Sequence, residues 1–165
     1  MPQRHIAYIS VGSNLGHKFE NCRRGIQLLT RRHARLKAES RIYQTEPVDY
    51  ADQDWFINIV VKIETILDPH PLLDLTQSIQ GKTGRVQDPI RFGPRVLDLD
   101  IILYDEMVIN SAQLIIPHPR MHKRRFVLKP LCDIDPTIIH PVLKTDVQTL
   151  LDSLDVNEQR IIEYR

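Results

Sequence analysis

Two aspartates interrupt an apolar run. In GPRVLDLDIILYDE, Gly93 to Glu106, Asp98 and Asp100 sit among Val96, Leu97, Leu99, Ile101, Ile102, Leu103 and Tyr104. Such a run, ended by a polar Asp-Glu pair, reads as a buried strand from Val96 to Tyr104. Side chains alternate along a strand, so both carboxylates leave the same face, roughly 6–7 Å apart by strand rise. Leu97, Leu99 and Ile101 then point to the other face, and Ile102 and Tyr104 share the face of the aspartates. At an effective dielectric of about 20, two such carboxylates repel by roughly 3 kcal/mol, and desolvation adds to this. A cation or a proton has to offset that cost. Paired hard oxygen donors suit Mg²⁺, which keeps waters and shares substrate phosphates; the plainer alternative is a pair of solvated aspartates.

The segment before the strand, KTGRVQDPIRFGPR, carries Arg85, Arg91 and Arg95 between glycine and proline breaks. Guanidinium forks beside a metal-binding carboxylate pair suit a polyphosphate, and a solvated basic loop is the equal alternative. In PHPRMHKRRF, His118 and His122 have a spacing that on a helix would suggest zinc. Pro117 and Pro119 argue against a helix there, so a two-histidine zinc site is rejected. Arg120, His122, Lys123, Arg124 and Arg125 form a basic cluster that by itself reads as a solvated face. GSNLG, Gly12 to Gly16, lacks both the P-loop ending and the GxGxxG pattern; it reads as a tight turn with Asn14 near the N-cap of a helix. An amide such as Asn58 can read a heterocycle's edge, and Phe56 and Phe126 could flank its faces, although each phenylalanine alone reads as core.

The elements that must hold these residues follow from periodicity. Ile6 to Val11 is a first strand. Phe19, Cys22, Ile26 and Leu29 make the stripe of a helix reaching about Arg32. Leu36 to Tyr43 alternates as a second strand, TEPVDYADQD is a loop, and Phe56 to Thr65 is a third strand. Asp68 and Pro69 start a second helix with Leu72, Leu75 and Ile79 as its stripe. After the aspartate strand come short strands near 107–110 and 114–116, and an amphipathic helix near Val147 to Leu154. The order β-α-β-β-α-β predicts an α+β fold with a ferredoxin-like core: a mostly antiparallel sheet, two helices on one face, and a C-terminal extension. Residues 1–165 read as a single domain.

A net charge of +1 gives no global attraction to nucleic acid or anionic membrane. Cys22 and Cys132 lack partners at metal-ligand spacing, and read as buried thiols of a reducing compartment. MPQRHIAYISVGS is too short in apolar length for a signal peptide, and no segment has the apolar length of a membrane span. The expectation is a cytoplasmic protein.

Together AYISVGSNLG, SRIYQTEPV, DWFINIVVKIET, GRV, RFGPRVLDLDIILY and IIPHPRMHKRRFVLKPLCDIDP resemble the 6-hydroxymethyl-7,8-dihydropterin pyrophosphokinases of folate biosynthesis over nearly the whole chain. The resemblance implies a ferredoxin-like core. It also implies pyrophosphoryl transfer from ATP to the pterin hydroxymethyl with release of AMP, and two Mg²⁺ ions between Asp98, Asp100 and the phosphates. By the same match Arg85 and Arg95 stabilise the moving charge, and His118 and Arg124 hold ATP phosphates. Phe56 and Phe126 stack on the pterin, Asn58 reads its edge with Thr45 and Val48 nearby, and Gln77 approaches the nucleotide. The loops near Val48 to Asp54 and Lys82 to Pro94 are expected to close over the substrates. The implied partners are these two small molecules, without nucleic acid or membrane, and the expected state is a monomer.

Three positions depart from the family pattern: Gln80 for a common Glu, Phe92 for a tryptophan of some members, and Lys123 for a common Glu. Two other functions share parts of this pattern. A nucleotidyltransferase also places a Gly-Ser loop before a D-x-D strand, but close in sequence, whereas Gly12 and Asp98 lie far apart. An RNA-binding ferredoxin-like module would show RNP-type motifs and sheet aromatics, and neither is present.

Overall fold

The computed structural model describes residues 2–48, 51–84 and 94–164. Five segments build the sheet around strand β1 (His5–Ser13), which pairs with β4 (Phe56–Thr65) on one side and β5 (Asp98–Tyr104) on the other. β2 (Ala34–Glu39) and β3 (Tyr43–Thr45) both pair with β4, and β8 (Ile161–Glu163) extends the sheet beyond β3. Every pairing is antiparallel. With β2 and β3 taken as one interrupted strand, the order is fourth, first, third, second, which is the split βαβ arrangement.

The second strand, expected unbroken from Leu36 to Tyr43, is divided at Ser40. Its Oγ accepts the Val60 N–H at 2.9 Å while its own N–H donates to the Val60 carbonyl at 2.9 Å. A side chain thus stands in for a backbone acceptor, and the chain bends there without leaving a buried donor unpaired.

Helices α1 (Lys18–Leu29) and α2 (Pro69–Lys82) lie on one face of the sheet. Cys22, Ile26, Leu29, Leu72 and Ile79 pack there against Ala7, Ile9, Val11, Ile59, Leu99 and Ile101. Pro69 occupies the first turn of α2 as expected, but the Asp68 side chain makes no capping bond.

The other face is divided. Its lower half is apolar: Tyr8, Val60, Ile102 and Leu103 are covered by α3 (Arg125–Ile134) and α4 (Val147–Asp152) through Val127, Leu128, Leu131, Val147 and Leu151. Each such side chain contributes about 1.5–3 kcal/mol when fully buried. The region expected as an extension is therefore part of the second core. α3 was not expected from the sequence. It carries Pro130 in its interior, and a proline there normally ends or kinks a helix; burial of one apolar stripe outweighs the single missing bond.

β5 also departs from strict alternation. Its register with β1 shifts between Tyr8 and Ile9, and a bulge of this kind flips the side chains beyond it. Tyr104, expected beside the aspartates, instead enters the helix-side core, where its hydroxyl donates to the Leu67 carbonyl at 2.6 Å. Short strands β6 (Ile109–Asn110) and β7 (Ile115–Ile116) form a separate hairpin. Among the described residues no helix is long and apolar enough to cross a membrane.

Candidate active site

The upper half of the divided face is polar and open. Alternation carries Ser10 and Gly12 of β1, Asn58 of β4 and Asp98 and Asp100 of β5 to this side. The register sets them in rows: Gly12 opposite Asn58 and Asp98, Ser10 opposite Val60 and Asp100. They floor a cavity of about 320 Å³, walled by Thr45, Glu46, Val48, Phe56, Gln80, Arg95, His118, Arg120, Arg124 and Phe126. A second cavity of about 240 Å³ shares Asp100 and His118 and has Leu73, Leu114 and Ile115 among its walls.

Ten residues singled out from the sequence line the first cavity: Thr45, Val48, Phe56, Asn58, Arg95, Asp98, Asp100, His118, Arg124 and Phe126. Gln77 does not; it lies exposed on α2. Arg85, Arg91 and Phe92 lie outside the described residues, as does most of the loop expected to close over the site. The structure adds Ser10 and Glu46, and it brings to the site Gly12, Gln80 and Arg120, which the sequence had marked only as a turn, a departure from the family pattern and part of a basic cluster. β1 runs on through Gly12, which was read as a turn, and the alternation of small Ser10 and Gly12 within this apolar strand is the signal that could have found them; Gln80 was marked only as a departure from the family pattern, and its bond to β5 had no local signal.

A guanidinium and a neutral imidazole stand beside the carboxylates. Arg95 Nε lies 3.9 Å from Asp98 Oδ1, with the Asp98 side chain 39% exposed. His118 is held below the ordinary histidine range chiefly by burial; Asp100 pulls it up, and Arg124 and Arg120 push it down. Its Nδ1 accepts the Arg120 N–H at 3.1 Å, so the neutral ring carries its proton on Nε2. It is a hydrogen-bond donor rather than a charged group at neutral pH. On the phenylalanine side, the Arg124 guanidinium lies 5.3 Å from the centre of the Phe126 ring, within cation–π range.

Asn58 is 4% exposed, and its Nδ2 donates to Thr45 Oγ1 at 2.5 Å. This bond fixes the amide's orientation and leaves the rest of its donor–acceptor edge to the cavity. Gln80 reaches from α2 to the free edge of β5, where its Oε1 accepts the Leu99 N–H at 2.8 Å. That bond satisfies the backbone donor between the two aspartates and fixes the strand that carries them.

Asn14, expected near a helix N-cap, has another task. α1 begins at Lys18 with His17 at its N-cap, too far along the chain for Asn14 to serve it. Instead the 1% exposed Asn14 exchanges bonds with Arg95, its N–H donating to the Arg95 carbonyl at 3.0 Å and its Oδ1 accepting the Arg95 N–H at 2.7 Å. Its Nδ2 donates to Gln53 Oε1 at 2.8 Å and to the Asp54 carbonyl at 3.0 Å. One buried amide thereby ties the segment entering β5 to the loop preceding β4.

Chemically, the site offers two adjacent oxygen donors, a donor imidazole and several guanidinium groups at one end. At the other it offers a fixed amide in a cavity that Phe56 and Phe126 also line. That is a place for a polyphosphate beside a flat heterocycle.

The family model for 7,8-dihydro-6-hydroxymethylpterin-pyrophosphokinase (HPPK) matches residues 8–136. The chain is 47% identical over 132 residues to the 2-amino-4-hydroxy-6-hydroxymethyldihydropteridine pyrophosphokinase of Bacillus subtilis, covering 79% of this chain and 78% of that protein. It is 41% identical over 135 residues to the Pseudomonas aeruginosa protein of that name, covering 81% and 83%. It also matches the folic acid synthesis protein fol1 of Schizosaccharomyces pombe at 43% identity over 150 residues, but spans only 20% of that longer protein. In fold it is similar to a Plasmodium falciparum HPPK-DHPS, with a TM-score of 0.74 at 16% identity, over 92% of this chain and 44% of the other. On the extent of the family match and the identity to full-length relatives, this chain belongs to the 7,8-dihydro-6-hydroxymethylpterin-pyrophosphokinase family.

Proposed function

We propose that this chain transfers the terminal pyrophosphoryl group of ATP to the hydroxymethyl group of 6-hydroxymethyl-7,8-dihydropterin, releasing AMP, with Mg²⁺ held at Asp98 and Asp100. The observation that carries the reading is the row across the sheet. The amide that would read the pterin and the aspartates that would face the phosphates lie on one floor, separated only by Gly12 and Ser10.

The donor set suits the metal. Asp98 and Asp100 are half-buried carboxylates on one face of β5, and among the described residues no group of three or more His, Cys, Asp or Glu could hold a metal ion. Two carboxylates on one strand face fit an ion that completes its shell with phosphate oxygens and water. When bound, Mg²⁺ supplies neutralisation of triphosphate charge and polarisation of the phosphorus under attack.

The protein's own work is positioning and electrostatics, as phosphoryl-type transfer requires. Asn58, held by Thr45, reads the pterin edge, and Phe56 and Phe126 flank its ring. The hydroxymethyl oxygen bonds to the β-phosphorus while the bond from that phosphorus to the bridging oxygen of the α-phosphate breaks, and AMP leaves with that oxygen. His118 donates through Nε2 to a phosphate oxygen, and Arg95 and Arg124 take further negative charge. The nucleoside end lies in the second cavity, whose apolar walls begin where Asp100 and His118 end. The hydroxyl proton passes late to an aspartate.

The test is an incubation with ATP, Mg²⁺ and the pterin, with nucleotides resolved by chromatography. AMP formed in step with a pterin diphosphate supports the reading. ADP, free pyrophosphate, or no turnover by folded protein defeats it.

A further inference from the structure

Residues 156–164 lie beyond the stretch matched by the family model, yet they touch both walls of the pterin half of the cavity. We propose that Gln159 and Arg160 are positioning residues for the pterin substrate, bracketing the wall that carries Thr45, Val48 and Phe56 to the wall that carries Phe126. This rests on the pterin assignment made above.

Arg160 grips the first wall. Its N–H donates to Glu46 Oε2 at 2.9 Å, and its carbonyl accepts the Glu46 N–H at 2.9 Å. Its Nε lies 3.5 Å from Glu46 Oε2, and its guanidinium stacks 5.2 Å from the centre of the Trp55 ring. Glu46 sits between Thr45 and Val48, and Trp55 immediately precedes Phe56. Both ends of the substrate loop, which runs from β3 to β4, are thus tied to one side chain. β8 continues the attachment by pairing Ile161, Ile162 and Glu163 with Thr45, Gln44 and Tyr43.

Gln159 grips the second wall. Its Oε1 accepts the Arg125 N–H at 3.0 Å, and its Nε2 donates to the Lys123 carbonyl at 2.9 Å. The two bonds clasp the backbone on either side of Arg124, the clasp ending at Arg125, one residue before Phe126. Arg125 Nη1 returns a bond to the Gln159 carbonyl at 3.1 Å. The backbone of Gln159 has φ 53°, a region that side-chain-bearing residues occupy at a cost. That turn sends adjacent residues to opposite walls.

The bracket adds little to fold stability. The Arg160 side chain is 63% exposed, and exposed ion pairs contribute little. Its consequence is the spacing between Asn58 with Phe56 and the facing Phe126, on which an aromatic substrate held edge and face depends.

The experiment compares steady-state kinetics of the full chain with Arg160→Ala, Arg160→Lys, Gln159→Gly and the Arg160→Ala/Gln159→Gly double variant. Glycine tolerates the positive φ, so Gln159→Gly deletes the clasp without adding strain. Arg160→Ala is expected to raise the KM for the pterin about fivefold, with kcat and the KM for ATP within about twofold of wild type. Arg160→Lys is expected to recover most of the loss by keeping the charge opposite Glu46. Gln159→Gly should raise the pterin KM similarly, and the double variant no further than the larger single effect, because both remove one bracket. Trp55 is the chain's one tryptophan, so a second readout is independent of turnover: acrylamide should quench its fluorescence more strongly in Arg160→Ala. An unchanged pterin KM in both single variants would overturn the proposal. So would a loss of kcat with both KM values altered alike. Absence of AMP formation by the wild type would instead sink the function reading and the substrate claim with it, while the quenching comparison would still decide whether Arg160 holds the Trp55 wall.

Discussion

Gly12 separates Asn58 from Asp98 on the cavity floor, and replacing it by alanine tests the whole arrangement. A methyl at this position would lie 2.6 Å from Asn58 Oδ1, 3.6 Å from Asn58 Cγ and 3.7 Å from the Ile57 carbonyl oxygen. Ordinary contact begins at 3.4 Å, so the amide must retreat by most of an ångström. It has little freedom to do so, being 4% exposed and bonded to Thr45 Oγ1 at 2.5 Å. Overpacking of this kind costs about 1–3 kcal/mol in stability. For binding, a displaced amide forfeits two hydrogen bonds to the pterin edge at about 1–1.5 kcal/mol each. A loss of about 2–3 kcal/mol corresponds to roughly a 30- to 150-fold weaker pterin interaction. The expected result for Gly12→Ala is a pterin KM raised within that range and an ATP KM changed far less, since His118 and the second cavity lie away from the methyl. Thermal melting of the same sample establishes that it is folded. A folded Gly12→Ala enzyme with a pterin KM within twofold of wild type would refute the placement of the pterin against Asn58.

Three further outcomes follow from the site and its supports. Asp100→Asn, and removal of divalent ions by chelation, should each lower kcat by about a thousandfold or more, whereas the melting temperature of Asp100→Asn should not fall, because the substitution relieves repulsion within the aspartate pair; activity retained after chelation would contradict the metal assignment. Gln80→Ala strands the buried Leu99 N–H and should cost about 1–3 kcal/mol in urea unfolding, together with weaker activation by Mg²⁺; an unchanged unfolding midpoint would show that Gln80 does not hold the strand. His140 accepts the Val142 and Leu143 N–H groups at Nδ1, at 3.2 and 3.0 Å, and is held below its ordinary value of 6.5 by burial first and by His122 second. Unfolding raises its pKa, so its contribution is complete above pH 6.5 and is lost as the pH falls below it, with a slope of at most about 1.4 kcal/mol per pH unit. Urea unfolding from pH 7 to 5 should show this acid weakening, less steeply in His140→Gln; identical slopes would refute it.

Much of the fold and its chemistry was legible locally. β4 was read at its observed bounds because alternation is a local property of a strand, and Pro69 marked the start of α2 because its ring suits a first helical turn. The aspartate pair announced itself because two charges in an apolar run need an external cation, whatever surrounds them. α3 was not legible: Pro130 speaks against a helix at short range, and the burial that overrides it comes from Tyr8, Val60 and Ile102, which are distant in sequence. The same holds for the bulge that turns Tyr104 away from the aspartates, since register is a relation between two strands.

By itself, then, the sequence determined which groups could do chemistry and the alternation that put Asp98 and Asp100 on one face. Only the tertiary structure decided how that face is shared. Half is sealed by α3 and α4 and half left open, with Gly12 set between Asn58 and Asp98, Asn14 tying the Arg95 segment to the 51–55 loop, and Gln159 and Arg160 reaching back across both walls. The reason is that hydrophobic burial and hydrogen bonding between elements act between residues far apart in the chain. Local spacing encodes what a side chain can do, but the partner that holds it in place is chosen when the elements pack.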